Sequence, residues 1–368
     1  MNDENALTTD LEQSTSAEAL PALLGPTHRG RSLLASGAGL LSLALLAPAS
    51  WLLYSAFGIE HQTPLPPALK AQRTEFDGGP AGRLSYYVDR QQWGRPLVLV
   101  HSVNAAASSF EMRPLFEHYR RQRPVFALDL PGYGFSERSD RVYSPELFTQ
   151  AVVELIRTQV GQQADVIALS LGCEFAARAA LAYPDLIRSL VLISPSGLGK
   201  GKGGRSSQQA GSVGVSDGLH SLLAFPLWGQ GLYDLIATRR SIAYFLRQSF
   251  VSAPPTSLID YAFATSHQPG ARYAPLYFLS GGLFTTGVRQ DVYAALSTPA
   301  LVLYDQDAFV RFDALPDLQA ANAAIQAVRI TPTLGLPHWE KPDETTREID
   351  AFWQSLGAVN VAHGGSRT

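Results

Sequence analysis

The stretch Ala164-Asp-Val-Ile-Ala-Leu-Ser-Leu-Gly172, followed by Cys173-Glu-Phe-Ala-Ala-Arg-Ala-Ala-Leu181, decides the fold. Val166 to Leu169 is a short run of apolar residues, which is typical of a buried strand. The alanine-rich segment after it predicts a helix, because alanine is the best helix former. Ser170 stands at the join, where a sharp turn would lift its hydroxyl above the edge of a sheet and aim the following N–H groups at a developing oxyanion. The pattern is G-x-S-x-G with Ala168 in place of the first glycine, and it predicts a nucleophile elbow.

The composition excludes several classes of function. The chain has 368 residues, and its content of 46% apolar and 17% charged residues is richer in apolar side chains than an average soluble domain. A formal net charge of −3 leaves no basic footprint for nucleic acid, so we expect no nucleic-acid partner. The single cysteine, Cys173, excludes an intrachain disulfide and a cysteine-based metal cage. Nothing in the sequence implies a metal or an organic cofactor.

The N-terminal region predicts a tail followed by a membrane anchor. Residues 1–32 begin with 27 residues that contain five acids and neither Lys nor Arg, which indicates a disordered tail. Leu33 to Ile59 then runs 27 residues without a charge, long enough as a helix to cross a hydrocarbon core of about 30 Å. Two other interpretations stay open: a cleaved secretory signal ending near Ala47-Pro-Ala49, and a buried helix of the soluble domain.

The charges beside this span give its orientation. Arg29 and Arg31 precede it and Glu60 follows it, so the positive-inside rule favours a cytoplasmic N-terminus with the catalytic part on the other side of the membrane. Residues 60–73 contain Pro64, Pro66 and Pro67 and predict a stiff linker.

The body of the chain predicts an α/β fold with a largely parallel sheet. Short apolar strands alternate with helical stretches over 74–197 and again over 297–356. Between them, residues 198–296 become aromatic and helical, and they begin with a Gly/Ser-rich hinge over 199–217. The last helix is predicted over 344–356, and residues 357–368 are predicted to be a tail.

Two further motifs resemble the α/β-hydrolase family. Asp129-Leu-Pro-Gly-Tyr-Gly-Phe-Ser136 is similar to the family's D-x-P-G-x-G-x-S turn, and His101-Ser-Val-Asn-Ala-Ala-Ala-Ser-Ser109 stands where the family usually has His-Gly. The resemblance covers roughly residues 74–356. It implies an α/β-hydrolase core, a helical cap over 198–296, and an oxyanion hole made by the N–H groups of Val103 and Leu171.

The resemblance also implies an acid that follows the strand before residue 305. A serine hydroxyl needs an imidazole to accept its proton and a carboxylate to orient that imidazole. The family's chain order is Ser, then Asp or Glu, then His. Asp307-Ala-Phe-Val310 fits the family's acid-x-x-Val pattern best, whereas Asp305 stands where a glycine is usual. We predict Asp307 as the orienting acid.

The candidate base lies in Leu334-Gly-Leu-Pro-His-Trp-Glu-Lys-Pro342. Alignment of its His-Trp-Glu-Lys-Pro with the family pattern puts Gly335 where the catalytic imidazole would be. His338 is the remaining histidine between Asp307 and the last helix, and it serves as the base if the loop is shortened and shifted. The alternative is a packing histidine above a site that has lost its base.

These residues together predict a serine hydrolase. The resemblance implies cleavage of a carboxylic ester of a small apolar substrate through an acyl-enzyme, with Ser170, His338 and Asp307 as the triad. Two alternatives stay open: a catalytically degenerate scaffold that acts as a binding protein, and a cofactor-free C–C hydrolase or perhydrolase. A serine at the elbow argues against the haloalkane dehalogenase and epoxide hydrolase chemistry of this family, which uses an aspartate there.

Overall fold

An eight-stranded sheet forms the centre of the part of the chain that the computed structural model describes, residues 47–200 and 213–364. The strand order is β1-β2-β4-β3-β5-β6-β7-β8, and every pair from β4 to β8 is parallel, whereas β2 is antiparallel to both β1 and β4. The predicted α/β fold with a mostly parallel sheet is confirmed. The strands are β1 Gln72–Asp77, β2 Arg83–Asp89, β3 Leu97–Val100, β4 Val125–Asp129, β5 Ala164–Leu169, β6 Ile187–Ile193, β7 Ala300–Gln306 and β8 Ile325–Leu334.

Helices follow most of the parallel strands, and a group of them stands between β6 and β7. In chain order they are α1 (residues 47–58), α2 Arg113–Tyr119, α3 Pro145–Glu154, α4 Gly172–Ala182, α5 Val213–Leu223, α6 Gly229–Ile236, α7 Arg239–Arg247, α8 Thr256–Ser266, α9 Tyr273–Leu279, α10 Val288–Asp291, α11 Leu315–Ala321, α12 Pro337–Glu340 and α13 Pro342–Gly364. We call α5 to α10 the cap, since they occupy the predicted insertion at 198–296.

The sheet buries both faces, as expected where helices cover a parallel sheet. In β3, Val98 and Val100 join one apolar cluster, to which α3 contributes Phe148 and α4 contributes Phe175. The alternate residues of β3, Leu97 and Leu99, join a second cluster with side chains of α2 and α13. This alternation follows from the two-residue period of a strand. The parallel pairing of β5 to β8 puts the carboxyl ends of β5, β7 and β8 at one common edge.

Of the predicted membrane span, the structure describes only the last part, residues 47–59. Residues 33–46 of the span Leu33–Ile59 lie outside the described residues, as does the predicted tail 1–32. Among the residues described, no helix has both the length and the apolar character needed to cross a bilayer. From Trp51 onward the chain contacts the cap: Trp51 Nε1 donates to the Gly231 carbonyl at 2.8 Å, and Ser55 Oγ donates to Asp234 at 2.5 Å. The predicted boundary of the span at Ile59 is therefore wrong: the span must end before Ser55, because Ser55 is buried against the Asp234 carboxylate.

The predicted linker over 60–73 is also packed on the domain. Gln268 Nε2 donates to the Thr63 carbonyl at 2.8 Å, and the Ala68 N–H donates to the Tyr87 hydroxyl at 2.9 Å. Its last two residues, 72 and 73, already belong to β1. At the other end α13 continues to Gly364 rather than to residue 356, which corrects the predicted tail 357–368. Of the predicted hinge 199–217, residues 201–212 lie outside the described residues.

Candidate active site

Ser170 occupies a strained turn between β5 and α4. Its φ of 53° is in the left-handed region, where a non-glycine residue costs about 1–3 kcal/mol and persists mainly at functional sites. Its N–H donates to the Ile193 carbonyl at the end of β6 at 2.8 Å, which holds the turn against the sheet. A Cβ at Gly172 would overlap the His101 carbonyl, so only glycine allows α4 to start this close to β3. The strand, turn and helix lie where the sequence predicts them, and the Ser170 side chain is partly exposed.

The two predicted oxyanion donors are free. Within residues 47–200 and 213–364, neither the Val103 N–H nor the Leu171 N–H donates a hydrogen bond to a protein acceptor. Both residues are buried, with 2% and 1% of their surface exposed, and buried backbone N–H groups without a partner are rare. Free N–H groups next to a serine on a strained turn are what an acyl-transfer site needs in order to stabilise a developing oxyanion, and the Leu171 N–H directly follows Ser170 in the chain.

Glu111 holds the loop that carries Val103. Its carboxylate accepts from the Ser102 N–H at 2.9 Å and from Asn104 Nδ2 at 3.0 Å, and burial raises its pKa. The sequence analysis did not single out Glu111. An acid between the two large apolar residues Phe110 and Met112 was the available signal, because a buried carboxylate requires polar partners.

His101 braces the same loop from the other side. Nε2 accepts from the Leu130 N–H at 3.0 Å, so Nδ1 carries the proton and donates to the Ser102 carbonyl at 2.6 Å. Burial lowers the pKa of His101 to about 4, which keeps the ring neutral. The bond to Leu130 joins the loop to the turn at Asp129, whose carboxylate accepts from the Ser109 N–H at 3.2 Å and the Phe135 N–H at 3.0 Å.

Asp307 follows β7 at the carboxyl edge of the sheet. Its Oδ1 accepts from the N–H groups of Phe309 at 2.7 Å and Val310 at 3.1 Å, while Oδ2 accepts no hydrogen bond within the described chain. Burial raises the pKa of Asp307 to about 6. The neighbouring Asp305 has a structural role: hydrogen bonds from Thr333 N–H and Arg329 outweigh the effect of burial and lower its pKa.

The residue that faces Asp307 is Gly335. Gln306 pairs with Leu334 across β7 and β8, so the next residue on each strand comes side by side. A Cβ on Gly335 would lie 2.7 Å from Asp307 Oδ2, and the three heavy atoms nearest to it all belong to Asp307. We call this pair the Asp307–Gly335 site. It is the place where the resemblance puts the catalytic imidazole, and this chain has no side chain there.

His338 lies elsewhere, on α12. It is fully buried; Nε2 donates to the Glu111 carbonyl at 2.9 Å, beside a second bond from Trp339 Nε1 at 2.7 Å. Its Nδ1 has no partner in the part of the chain described. No hydrogen bond there joins the ring to Ser170 or to Asp307, so the structure does not assemble these three residues as a triad. The role of His338 as the base stays a prediction, and the ring would have to leave the Glu111 carbonyl to fulfil it.

Replacing His338 separates a structural role from a catalytic one. Alanine removes a buried hydrogen bond and leaves a cavity, so we expect the free energy of unfolding to fall by about 2–4 kcal/mol. Glutamine keeps an N–H donor for the Glu111 carbonyl and should recover most of that loss. Chemical denaturation measures the stability of both variants, and ester turnover measures the catalytic role. If His338 has only a structural role, His338→Gln should have near-normal turnover. If His338 is the general base, His338→Gln should be as inactive as His338→Ala.

The buried histidines also predict how stability depends on pH. His101 and His338 both have their pKa lowered to about 4 by burial, whereas an imidazole in the unfolded chain titrates near about 6.5. The unfolded chain binds more protons between these values, so these groups add stability as the pH rises through that window. Asp307 acts in the opposite sense, since its raised pKa makes the folded form bind the extra proton. Urea unfolding between pH 4 and pH 7 should give a shallower rise for His338→Gln and a steeper one for Asp307→Asn; a slope unchanged in both would contradict the assignment.

A sequence model of the alpha/beta hydrolase family matches residues 97–348. The chain belongs to the alpha/beta hydrolase family. Solved structures agree on the fold: a thermophilic esterase of Thermogutta terrifontis superposes with a TM-score of 0.59 at 19% identity over 78% of this chain and 99% of its own. A bacterial membrane phospholipase A superposes with a TM-score of 0.61 at 18% identity over 88% of this chain and 96% of its own.

Two curated relatives match shorter stretches of sequence. A 2-(acetamidomethylene)succinate hydrolase of Mesorhizobium japonicum is 30% identical over 112 residues, which are 30% of this chain and 40% of that protein. An esterase of Mycobacterium tuberculosis is 35% identical over 115 residues, 30% of this chain and 37% of that protein. The matched stretch thus spans about two fifths of each relative. Their names, a hydrolase and an esterase, are consistent with a hydrolase.

Proposed function

We propose that this protein is a serine hydrolase that cleaves a carboxylic ester of a small apolar substrate through an acyl-enzyme on Ser170. The observation that carries the proposal is the strained serine at the elbow, with the free N–H of Leu171 next to it in the chain and the free N–H of Val103 two residues after His101, whose carbonyl lies against Gly172. A positive φ at a serine is unfavourable for folding, and its presence at the sheet edge is explained by presentation of a nucleophile.

The chemistry follows from these groups. Ser170 Oγ attacks the acyl carbon, its proton passes to a base, and the carbonyl oxygen becomes an oxyanion that accepts from Val103 and Leu171; each such donor is typically worth about 10²–10³ in rate. The intermediate expels the alcohol and leaves an ester on Ser170, which water then hydrolyses. Asp307 would stabilise the cation that forms when the base takes the proton.

Aromatic side chains next to Asp307 support an apolar substrate. Phe309, two residues beyond Asp307, is 42% exposed, and its ring lies 6.5 Å from that of Phe245 on cap helix α7. Phe245 is itself 47% exposed. Apolar surface that core and cap leave exposed beside a candidate site suits an acyl chain or an aromatic group.

A second candidate function is binding without turnover. The specific observation in its favour is the absence of a side chain at Gly335, together with the burial of His338 against the Glu111 carbonyl. A site with a nucleophile and an oxyanion hole but no proton acceptor would bind carbonyl ligands and release products very slowly.

Attachment to a membrane through the span that begins at Leu33 is part of the proposal, with the catalytic part on the extracytoplasmic side. It is supported by α1, where Leu53, Tyr54 and Phe57 are 61%, 57% and 87% exposed. We expect the full chain to stay with membranes on alkaline carbonate extraction and a variant that starts at Trp51 to be released. Complete release of the full chain would contradict the anchor.

A panel of p-nitrophenyl esters with acyl chains of increasing length tests the proposed activity. We expect turnover of at least one ester in the series, with a preference set by the apolar surface beside Asp307. Ligand binding seen by calorimetry with no release of p-nitrophenol beyond one equivalent would instead support the second candidate.

A further inference from the structure

The Asp307–Gly335 site has a carboxylate oxygen with no side chain opposite it. Two backbone N–H groups fix Oδ1 of Asp307, and this leaves Oδ2 without a hydrogen bond among the described residues and directed at Gly335. This carboxylate oxygen is open to a partner from outside the chain, since Asp307 is partly exposed and Oδ2 has no side chain opposite it.

Two histidines and an arginine that could pair with Asp307 form hydrogen bonds with other groups of the chain. His338 donates to the Glu111 carbonyl, and His101 bonds to Ser102 and Leu130. Arg329, on the strand that ends before Gly335, binds Asp305 rather than Asp307, with Nε 2.6 Å from Oδ1. Within the described parts of the chain, no side chain is hydrogen bonded to both Asp307 Oδ2 and Ser170 Oγ, the arrangement that the general base of a triad would show.

We propose that the Asp307–Gly335 site binds a basic nitrogen carried by the substrate, an imidazole that is uncharged near neutral pH, and that this nitrogen serves as the general base. The inference rests on the proposed function of Ser170. Asp307 Oδ2 would accept an N–H from the nitrogen group and stabilise its protonated form, the task it would perform for an imidazole of the chain.

The proton balance indicates where on the substrate the nitrogen must be. In acylation the Ser170 proton moves to the nitrogen while the bond between Oγ and the acyl carbon forms; the same proton then goes to the departing alcohol oxygen as its bond to the acyl carbon breaks. In deacylation a water gives its proton to the nitrogen while it attacks the acyl carbon, and the proton returns to Ser170 Oγ as the acid leaves. The base is needed after the alcohol has gone, so the nitrogen belongs to the acyl part of the ester.

A matched pair of substrates tests this directly. The ethyl esters of imidazolepropanoic acid and of pyrazolepropanoic acid have nearly the same shape, but only imidazole is a useful base near neutral pH. We expect kcat/KM to favour the imidazole ester by about 10²-fold, the lower end of what a positioned general base supplies. Asp307→Asn should reduce that preference by about tenfold or more, the factor that corresponds to one charge-assisted hydrogen bond.

A comparison of two glycine-to-alanine substitutions tests where the nitrogen group binds. Gly335→Ala places a methyl group against Asp307 Oδ2 and should abolish the preference for the imidazole ester. Gly94→Ala is its control, because Gly94 also has a positive φ, of 129°, but has no neighbour within 4 Å of an added Cβ. It carries a similar backbone strain away from the site and should keep the preference.

Free imidazole added to p-nitrophenyl butanoate gives a second readout, with the Ser170→Ala protein as the background. We expect saturable acceleration in the wild-type protein and none with pyrazole. Equal rates for the two ethyl esters and no acceleration above the Ser170→Ala background would overturn the inference. If Ser170 still reacts with a fluorophosphonate in imidazole buffer in that case, the proposed function stands, whereas a Ser170 that stays unreactive there would remove both.

Discussion

Replacing Ser170 by alanine is expected to lower ester turnover by about 10³-fold or more, because the covalent route is lost and only substrate binding and oxyanion stabilisation remain. The effect on folding should be small, since the side chain is partly exposed and alanine has the same backbone strain at a φ of 53°. Turnover of the best p-nitrophenyl ester, measured beside the melting temperature of each protein, checks both expectations.

Ser194 provides the matched control for this substitution. It follows β6 as Ser170 follows β5, it also has a positive φ, of 46°, and its buried Oγ lacks a hydrogen-bond partner in the part of the chain described. Its N–H donates to the Leu303 carbonyl at 2.8 Å, as the Ser170 N–H does to Ile193. We expect Ser194→Ala to retain turnover. Loss of turnover in Ser194→Ala, with activity preserved in Ser170→Ala, would identify Ser194 as the nucleophile and contradict the assignment of Ser170.

Replacing Gly335 by histidine is the second change with a large expected effect, and it should increase activity. The new ring would stand beside Asp307 Oδ2, which lies 2.7 Å from the Cβ position and would rotate to accept from Nδ1. Gly335 has a φ of 98°, so the substitution costs about 1–3 kcal/mol of stability. We expect turnover of a neutral ester to rise by about 10²-fold, because general bases contribute about 10²–10⁴.

Two comparisons make the gain from Gly335→His interpretable. Gly335→Asn has the same backbone strain without a base, so it should show no gain. The double variant with Asp307→Asn should lose most of the gain, since the added imidazole would lose its orienting carboxylate. A properly folded Gly335→His protein without any gain, combined with an inactive His338→Gln protein, would show that His338 is the base after a loop movement.

The sequence predicted the parts of this site that depend on local pattern. The buried strand before Ser170, the alanine-rich helix after it and the turn at Asp129 each combine apolar periodicity with glycine or proline at a fixed offset, and such signals are contained within a few residues. The choice of Asp307 over Asp305 came instead from the resemblance to the family's acid-x-x-Val pattern, and the role of Asp307 as the orienting acid stays a prediction.

Local sequence patterns could not predict the surroundings of His338. Its place depends on the Glu111 carbonyl, which lies 227 residues earlier in the chain. The packing of Trp51 and Ser55 on α6 similarly pairs residues about 180 positions apart, so an uncharged run read alone predicted a longer membrane span. Contacts of this kind are decided by tertiary packing, which no local pattern in one sequence encodes.

Identification of the residue that reacts with a fluorophosphonate tests the central claim most directly. The full-length protein would be treated with the probe in buffer that contains imidazole, digested and examined by mass spectrometry. The account predicts one phosphonyl adduct, on the peptide that contains Ser170, and none on that peptide in Ser170→Ala. An adduct on any other serine, or an unmodified Ser170 under conditions in which esters are hydrolysed, would contradict it.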